Sequence, residues 1–175
     1  MKRSLIAASV LSAVFMSAGA FAAEYDSGVL NINGKVVGTT CQFVDTNTAE
    51  IRLNEIGADK VSNLIPGQIY DAVTNQTQMP LKIKCRPEVT PRITFSSTQY
   101  DSNEITFNNG SAKGVGFAVY YGNTDNQIDP QTGVTLDPNS TGEYDLTFLA
   151  RYARLDGDVV SGDVSSTLTL TVVTD

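Results

Sequence analysis

The 175-residue sequence contains no histidine and no tryptophan, and it has only two cysteines. Without histidine it lacks the commonest general base, the commonest metal ligand and every Ser-His or Cys-His nucleophile pair. It also has no nucleophile elbow, no phosphate-binding loop and no dinucleotide-binding fingerprint. We therefore expect a protein that is not an enzyme, with no catalytic residues, no metal site and no cofactor.

Long apolar runs are missing except at the N-terminus. Two basic residues follow Met1, an uncharged stretch covers residues 5–18, and Ala20-Phe21-Ala22 places small residues two positions apart. This layout predicts a secretory signal peptide over residues 1–22. A retained membrane helix is the alternative, but the apolar run is short and rich in Ala and Ser. We expect one exported, soluble domain that does not insert into a membrane.

Basic side chains are outnumbered. The chain has 12 Lys and Arg against 19 Asp and Glu, and two of the basic residues belong to the predicted signal peptide. The exported part then carries 10 basic and 19 acidic side chains, a balance of −9. Such a chain is a poor candidate for binding nucleic acid, because phosphate contacts need Lys and Arg. An acidic surface also keeps a protein soluble and self-repelling.

The two cysteines are Cys41 and Cys85. In an exported chain a disulfide is the default, and the long loop between them corresponds to about 4 kcal/mol of stabilisation in the chain-entropy model. A reduced pair that binds metal or does redox work is the alternative. Their spacing does not form a C-x-x-C site and no histidine completes a zinc set. The sequence therefore predicts a structural disulfide.

The dominant hydrophobic period is two, and turn-forming clusters such as 108–111, 122–126 and 137–142 separate the alternating segments. Residues 54–64 are the one segment whose pattern allows a short helix. This pattern predicts an all-β sandwich. The candidate strands lie at 28–34, 35–37, 39–43, 50–53, 79–85, 92–95, 104–107, 115–121, 144–152 and 166–173.

Acidic residues cluster at 156–163 and at 125–129, but neither cluster has the spacing of an EF-hand loop. We interpret both as turns, where Asp is common. A carboxylate pair that acts as a glycosidase dyad stays open as an alternative from the residues alone.

Five fragments in order, behind the predicted signal peptide, resemble the type 1-like pilin family of the chaperone–usher pathway. Gly28-x-Leu30-x-Ile32-x-Gly34-x-Val36-Val37-x-x-x-Cys41 is similar to the family's donor segment, first strand and first cysteine. Cys85 lies where the second cysteine is expected. Gly114-Val-Gly-Phe-Ala-Val119, Phe148-x-Ala150-x-Tyr152 and Gly162-Asp-Val164 are similar to later family strands and to the segment before the last one.

The resemblance implies an incomplete immunoglobulin-like β-sandwich that a donor strand from a neighbouring subunit completes. The domains would be the signal peptide at 1–22, a donor-strand extension at 23–33 and a pilin domain at 34–175. The function implied is that of a structural subunit of a bacterial surface fimbria, which supports adhesion. Its partners would be identical or related pilin subunits, a periplasmic chaperone and an outer-membrane usher. The chain would pass through the periplasm to the fimbrium at the cell surface.

Within the expected extension, Leu30 and Ile32 would point into the neighbour's groove, while Val29 and Asn31 would point out. Gly28 shares the inward face and would leave one pocket unfilled; by family analogy, exchange would start at that gap. The alternative is that residues 23–33 form an ordinary first strand of a complete sandwich. Composition does not separate these two interpretations.

The last strand is the second element that the resemblance marks. Leu168, Leu170 and Val172 share one face, and the family pairs this strand with the chaperone. Asp175 would supply the terminal carboxylate that chaperone basic residues hold. Thr174 stands at the penultimate position, where many members carry Tyr or Phe.

A function from another class is a monomeric, secreted, carbohydrate-binding β-sandwich. It would need an exposed pocket with aromatic and polar side chains. Tyr100, Tyr120 and Tyr121 are candidates for such a pocket, although core packing explains them as well.

Overall fold

A computed structural model describes residues 28–36, 40–87 and 89–174. The predicted signal peptide, residues 23–27 and Asp175 lie outside this part of the chain.

The structure is a two-layer β-sandwich, which confirms the predicted all-β sandwich; its first and last described strands pair within the same chain. Its strands are β1 (Gly28–Val36), β2 (Cys41–Val44), β3 (Thr48–Leu53), β4 (Asn75–Gln76), β5 (Leu81–Cys85), β6 (Pro91–Phe95), β7 (Val115–Tyr121), β8 (Val134–Thr135), β9 (Glu143–Leu146), β10 (Phe148–Arg154) and β11 (Ser165–Thr174). One layer is a five-stranded sheet with the order β3-β1-β11-β6-β8. The other layer consists of two three-stranded sheets, β4-β10-β7 and β2-β5-β9, and β9 and β10 are consecutive along the chain.

Alternating side chains from the two layers meet in one hydrophobic core. Strands β5, β6 and β11 alternate buried and more exposed positions along their length, as expected for sheets with one face on the core. The largest side chains at the centre are Phe117 and Phe148, both fully buried. Strand β7 is buried at six consecutive positions, because a second, smaller cluster around Ile105 and Tyr120 covers its outer face.

Strand β1 lies inside the five-stranded sheet, second from the edge formed by β3. It pairs in antiparallel fashion with β3 and in parallel fashion with β11. Among the strand pairs that the described residues form, β1–β11 is the one parallel pair. The first described strand therefore lies beside the last strand of the same chain and joins β3 to the rest of the sheet.

Two of the expected strands, at 104–107 and 144–152, do not form as predicted. Residues 104–107 form isolated bridges rather than a strand, because Glu104 adopts a positive φ of 60° that turns the chain before a ladder extends. The single strand expected at 144–152 is two strands that part at Thr147. The helix expected within 54–64 is confirmed as one short helix, α1 (Ala58–Ser62), whose Val61 is buried.

Candidate functional site

The groove that holds β1 is the most distinctive site in the fold. Its walls are β3 on one side and β11 on the other. Leu30 lies opposite Ile51 of β3, and Ile32 lies opposite Leu168 of β11. Both Leu30 and Ile32 are fully buried. Burying two such side chains contributes roughly 1.5–3 kcal/mol each relative to leaving them in water.

The two faces of β1 differ, as the period of two requires. Asn31 and Asn33 are exposed, and Val29 is half-buried. The polar amides therefore face solvent, while the groove takes only the alternate residues. In the structure each of these side chains lies on the face that the sequence pattern indicates. The groove that receives the buried ones, however, belongs to the same chain and not to a neighbouring subunit.

Two glycines bracket the buried pair, and a Cβ atom added at either one would force a neighbouring aromatic side chain to shift. A methyl group at Gly28 would lie 2.7 Å from the Tyr152 hydroxyl oxygen and 3.1 Å from Phe117 Cζ. A methyl group at Gly34 would lie 2.5 Å from Phe43 Cζ and 3.2 Å from Leu170 Cγ. Real Cβ atoms essentially never approach other atoms to less than 3.0 Å. The steric role of Gly34 was missed by the sequence reasoning, although Gly34 belongs to the quoted motif.

An apolar cavity of about 180 Å³ opens at the start of β1, beside Gly28. Val61, Val115, Val159 and Val164 line it. The sequence reasoning expects an unfilled pocket facing Gly28 in a neighbouring subunit's groove, and this cavity within the same chain does not test that expectation. The cavity is next to Gly28 rather than directly beneath it, because Tyr152 and Phe117 occupy the space under the glycine.

A buried chain of hydroxyl groups fixes the β11 wall near Leu30. The Phe117 amide donates to Thr106 Oγ1 at 3.1 Å, and Thr106 Oγ1 lies 2.8 Å from Ser166 Oγ. Ser166 Oγ donates to the Phe107 carbonyl oxygen at 2.6 Å. Every member has a partner, so the polar groups are buried without an unmet hydrogen bond. Since Ser166 is also the β11 partner of Leu30, this network ties the groove wall to the opposite layer.

The opposite end of β1 is attached to a rigid anchor. Cys41 and Cys85 form a disulfide with an S–S distance of 2.04 Å, which confirms the predicted pair. Thr40 and Thr174 hydroxyl oxygens lie 2.7 Å apart, so the end of β11 is held beside the start of β2. Only residues 37–40 separate β1 from Cys41. The disulfide and the contact between the two hydroxyl groups therefore stabilise the end of the fold to which β1 is joined, and neither contact involves a residue of β1.

The last strand presents its predicted residues to the core. Leu168, Leu170 and Val172 are buried on one face. The backbone edges of β11 are occupied by β1 and β6. A chaperone strand paired with β11 on its β1 side would therefore need the place that β1 occupies in this structure.

Outside the groove, the described residues form no metal site, and several of their titratable groups have shifted pKa values. Among the described residues, no group of three or more His, Cys, Asp or Glu side chains is arranged to hold a metal ion. Burial, assisted by the nearby Glu104 carboxylate, raises the pKa of the Tyr100 hydroxyl. Burial and the neighbouring Asp129 raise the pKa of Glu104. Tyr100 and Tyr120, which the carbohydrate-binding alternative would expose, lie in the core, and Tyr121 is half-buried.

No helix in the described part of the chain has both the length and the apolar character needed to cross a membrane.

Known proteins resemble this chain over most of its length. The family model described as "Fimbrial protein" matches residues 30–174. A curated relative from Escherichia coli (strain K12), an uncharacterised fimbrial-like protein YehD, is 33% identical over 183 aligned positions, covering 100% of both chains. Among solved structures, the CupB6 tip adhesin from Pseudomonas aeruginosa matches with a TM-score of 0.43 and 16% identity. That match covers 83% of this chain and 41% of the adhesin chain.

Proposed function

The chain belongs to the fimbrial protein family, and from that premise we propose that it polymerises into a surface fibre by lending β1 to the next subunit. In this proposal the extension at 23–33, together with residues 34–36 at the end of β1, supplies the strand, and the remainder of the domain at 34–175 supplies the groove. Identical or related pilin subunits are its partners. The fibre supports adhesion at the cell surface.

The position of β1 carries the proposal. The strand fills an interior place in the sheet, between β3 and β11, yet it belongs to the extreme N-terminus of the described chain and joins the domain through residues 37–40. Without it, β3 and β11 would each present an unpaired edge above an apolar floor. Because every subunit has the same groove and the same strand, a strand of one copy fits the groove of another, as in domain swapping.

A periplasmic chaperone and an outer-membrane usher complete the route to the surface. A subunit whose groove is empty exposes apolar side chains and strand edges, both of which promote aggregation. A chaperone strand beside β11 would cover them until the next subunit arrives. Leu168, Leu170 and Val172 lie on β11, the strand with which such a chaperone strand would pair. The carboxylate of Asp175 is the group that chaperone basic residues would hold.

The experiment removes the strand and returns it as a peptide. The exported chain lacking residues 23–36 is produced with and without a cognate chaperone, and a synthetic peptide of residues 25–36 is added. We expect the shortened chain to stay soluble only with the chaperone, to form no fibres, and to gain a large rise in melting temperature on taking up the peptide.

Two altered peptides serve as matched controls. A peptide with Leu30→Asp and Ile32→Asp changes the inward face and should give no rise in melting temperature. A peptide with Asn31→Asp and Asn33→Asp adds the same charges on the exposed face and should retain most of the rise. If the shortened chain folds alone as a stable monomer and ignores every peptide, the groove does not exist and a self-contained binding sandwich becomes the better explanation.

A further inference from the structure

Strand β3 forms one edge of the five-stranded sheet, and among the described strands it pairs with β1 alone. Its six residues make it a longer edge than β8 at the other side of the sheet, which has two. The edge strand β7 of the other layer is longer still, but backbone hydrogen bonds to residues 106, 126 and 128 cover it. An uncovered strand edge is a template for pairing with a further strand.

The register with β1 shows which backbone groups of β3 face outward. The Gly34 amide donates to the Asn47 carbonyl oxygen at 3.0 Å. Residues of an antiparallel strand alternately direct their N–H and C=O groups toward the partner and away from it. The odd-numbered residues of β3 therefore direct these groups toward β1, and Thr48, Glu50 and Arg52 direct theirs toward the free edge.

Side chains cap the two ends of this free edge. The Thr48 amide donates to Thr46 Oγ1 at 3.2 Å, and the Asn54 amide donates to Asn75 Oδ1 at 3.4 Å. Each cap gives a partner to a backbone group that would otherwise face solvent. The stretch that stays open is the part between the caps, residues 49–53.

Within the open stretch, the outward backbone groups belong to Glu50 and Arg52. No described residue forms a hydrogen bond with these groups on the free edge. The two residues flank Ile51, which lies midway between the capped residues. A second copy of β3 placed antiparallel about Ile51 brings Glu50 of one chain opposite Arg52 of the other, and each such pair exchanges both of its backbone N–H···O bonds.

The charges of the two side chains match this arrangement. Both are exposed, and Arg52 Nη2 lies 3.4 Å from Glu50 Oε2 within the strand. In the antiparallel pair, each carboxylate lies next to the guanidinium group of its own chain and opposite that of the other chain. Opposite charges across a strand pair are favourable and like charges are not. A parallel pair in register would set Glu50 against Glu50, so the charges select the antiparallel direction.

An exposed apolar side chain borders the same edge. Met79 is 73% exposed, and it lines a shallow groove of about 310 Å³ together with Ala49 and Glu50. A strand added at the free edge would cover part of this groove. Removing apolar surface from water favours such an association.

We propose that the free edge of β3 is a self-pairing surface, at which a second copy of this chain adds its own β3 antiparallel about Ile51. The contact is isologous, because each copy contributes the same residues. It lies on the side of β3 that faces away from β1, so it goes beyond strand donation and does not depend on it. Between subunits of different fibres, the same contact joins the fibres side by side.

Three charge variants of the exported chain test the surface, and each keeps β1 and β11 unchanged. Glu50→Arg makes the open edge basic, Arg52→Glu makes it acidic, and Glu50→Arg/Arg52→Glu exchanges the two charges. The altered side chains are exposed, so the melting temperatures should stay close to that of the unaltered chain. Association of the purified monomers is measured by sedimentation velocity over a concentration series.

We expect the unaltered chain and the double variant to form reversible pairs with similar concentration dependence. Each single variant alone should pair roughly tenfold more weakly, because two favourable charge pairs become two unfavourable ones. An equimolar mixture of the two single variants should recover the pairing, since a basic edge then meets an acidic one.

Amide hydrogen exchange locates the contact within the unaltered chain. The Glu50 and Arg52 amides face solvent in a single chain, so their protection should rise with protein concentration. The Ile51 amide is directed toward β1 and serves as the internal control, because its protection should not depend on pairing.

Single variants that pair as strongly as the unaltered chain would show that these charges do not meet, and the proposal would be wrong. An unaltered chain that stays single at every concentration would overturn it as well, as would pairing that leaves the exchange of the Glu50 and Arg52 amides unchanged. Failure of the strand peptide to bind the shortened chain is a separate result. It rejects strand donation and leaves the β3 edge untouched, because β1 is the same in all four chains.

Discussion

Ile32→Ala is the substitution that most directly tests whether β1 is held in its groove. The side chain is fully buried between Ala49 of β3 and Leu168 of β11. Both neighbours belong to hydrogen-bonded strands, so they cannot collapse into the vacated space. Truncation of a buried isoleucine to alanine costs about 2–5 kcal/mol, and the paired walls favour the upper part of that range.

The measurement is urea and thermal unfolding of the purified monomer. For a domain of this size, each kcal/mol lowers the melting temperature by about 2–4 °C, so the expected fall is roughly 4–20 °C. Asn31→Ala is the matched control, because it lies on the same strand with its side chain exposed, and it should change stability by no more than about 0.5 kcal/mol. Equal effects from Ile32→Ala and Asn31→Ala would show that β1 is not packed in the folded monomer, and the reasoning would fail.

Three further predictions concern the frame of the groove. Replacing Cys41 and Cys85 by serine should lower the free energy of unfolding by about 4 kcal/mol, measured as a shift in urea midpoint that reducing agent reproduces in the unaltered chain. Thr106→Val leaves the buried Phe117 amide without its acceptor and removes one of the two hydrogen-bond partners of the Ser166 hydroxyl, so it should cost about 1–3 kcal/mol in urea unfolding, whereas Thr106→Ser should recover most of the loss. Tyr100→Phe should be neutral or stabilising, because the buried hydroxyl has no hydrogen-bond partner among the described residues. Burial raises the pKa of Tyr100 in the folded state, so folding is favoured below the ordinary pKa of about 10 and weakens as the pH rises above it; in Tyr100→Phe this alkaline loss should be smaller in a pH series.

The alternation of β1 shows how far sequence reasoning reaches. The period of two places Leu30 and Ile32 on one face, and in the structure that face is buried while Asn31 is exposed. It does not predict which chain supplies the groove, because the same alternation satisfies a groove in the same subunit or in a neighbour. The sequence pattern does not predict the parallel pairing with β11 either, because side chains alternate in the same way whichever direction the strand runs.

Other features depend on contacts that no local pattern encodes. The segment at 104–107 has the composition of a strand, but Glu104 turns the backbone and the segment covers β7 instead of extending the sheet. The requirement for glycine at position 34 comes from Phe43 and Leu170, which approach it from two different strands. The disulfide, by contrast, was predictable, because only two cysteines are present in a chain with a predicted export signal.

The pairing of β1 with β11 also sets an order of events during synthesis. The chain is synthesised from its N-terminus, so Leu30 and Ile32 are made long before β11, the strand that packs beside them. The five-stranded sheet is not complete until the last ten residues of the described chain are in place. Until then, the N-terminal strand has β3 as a neighbour on one side only. Loop closure over nearly the whole chain makes this step slow compared with the formation of local hairpins. For that interval each newly made chain carries an N-terminal strand with one unpaired edge and a five-stranded sheet that still lacks β11.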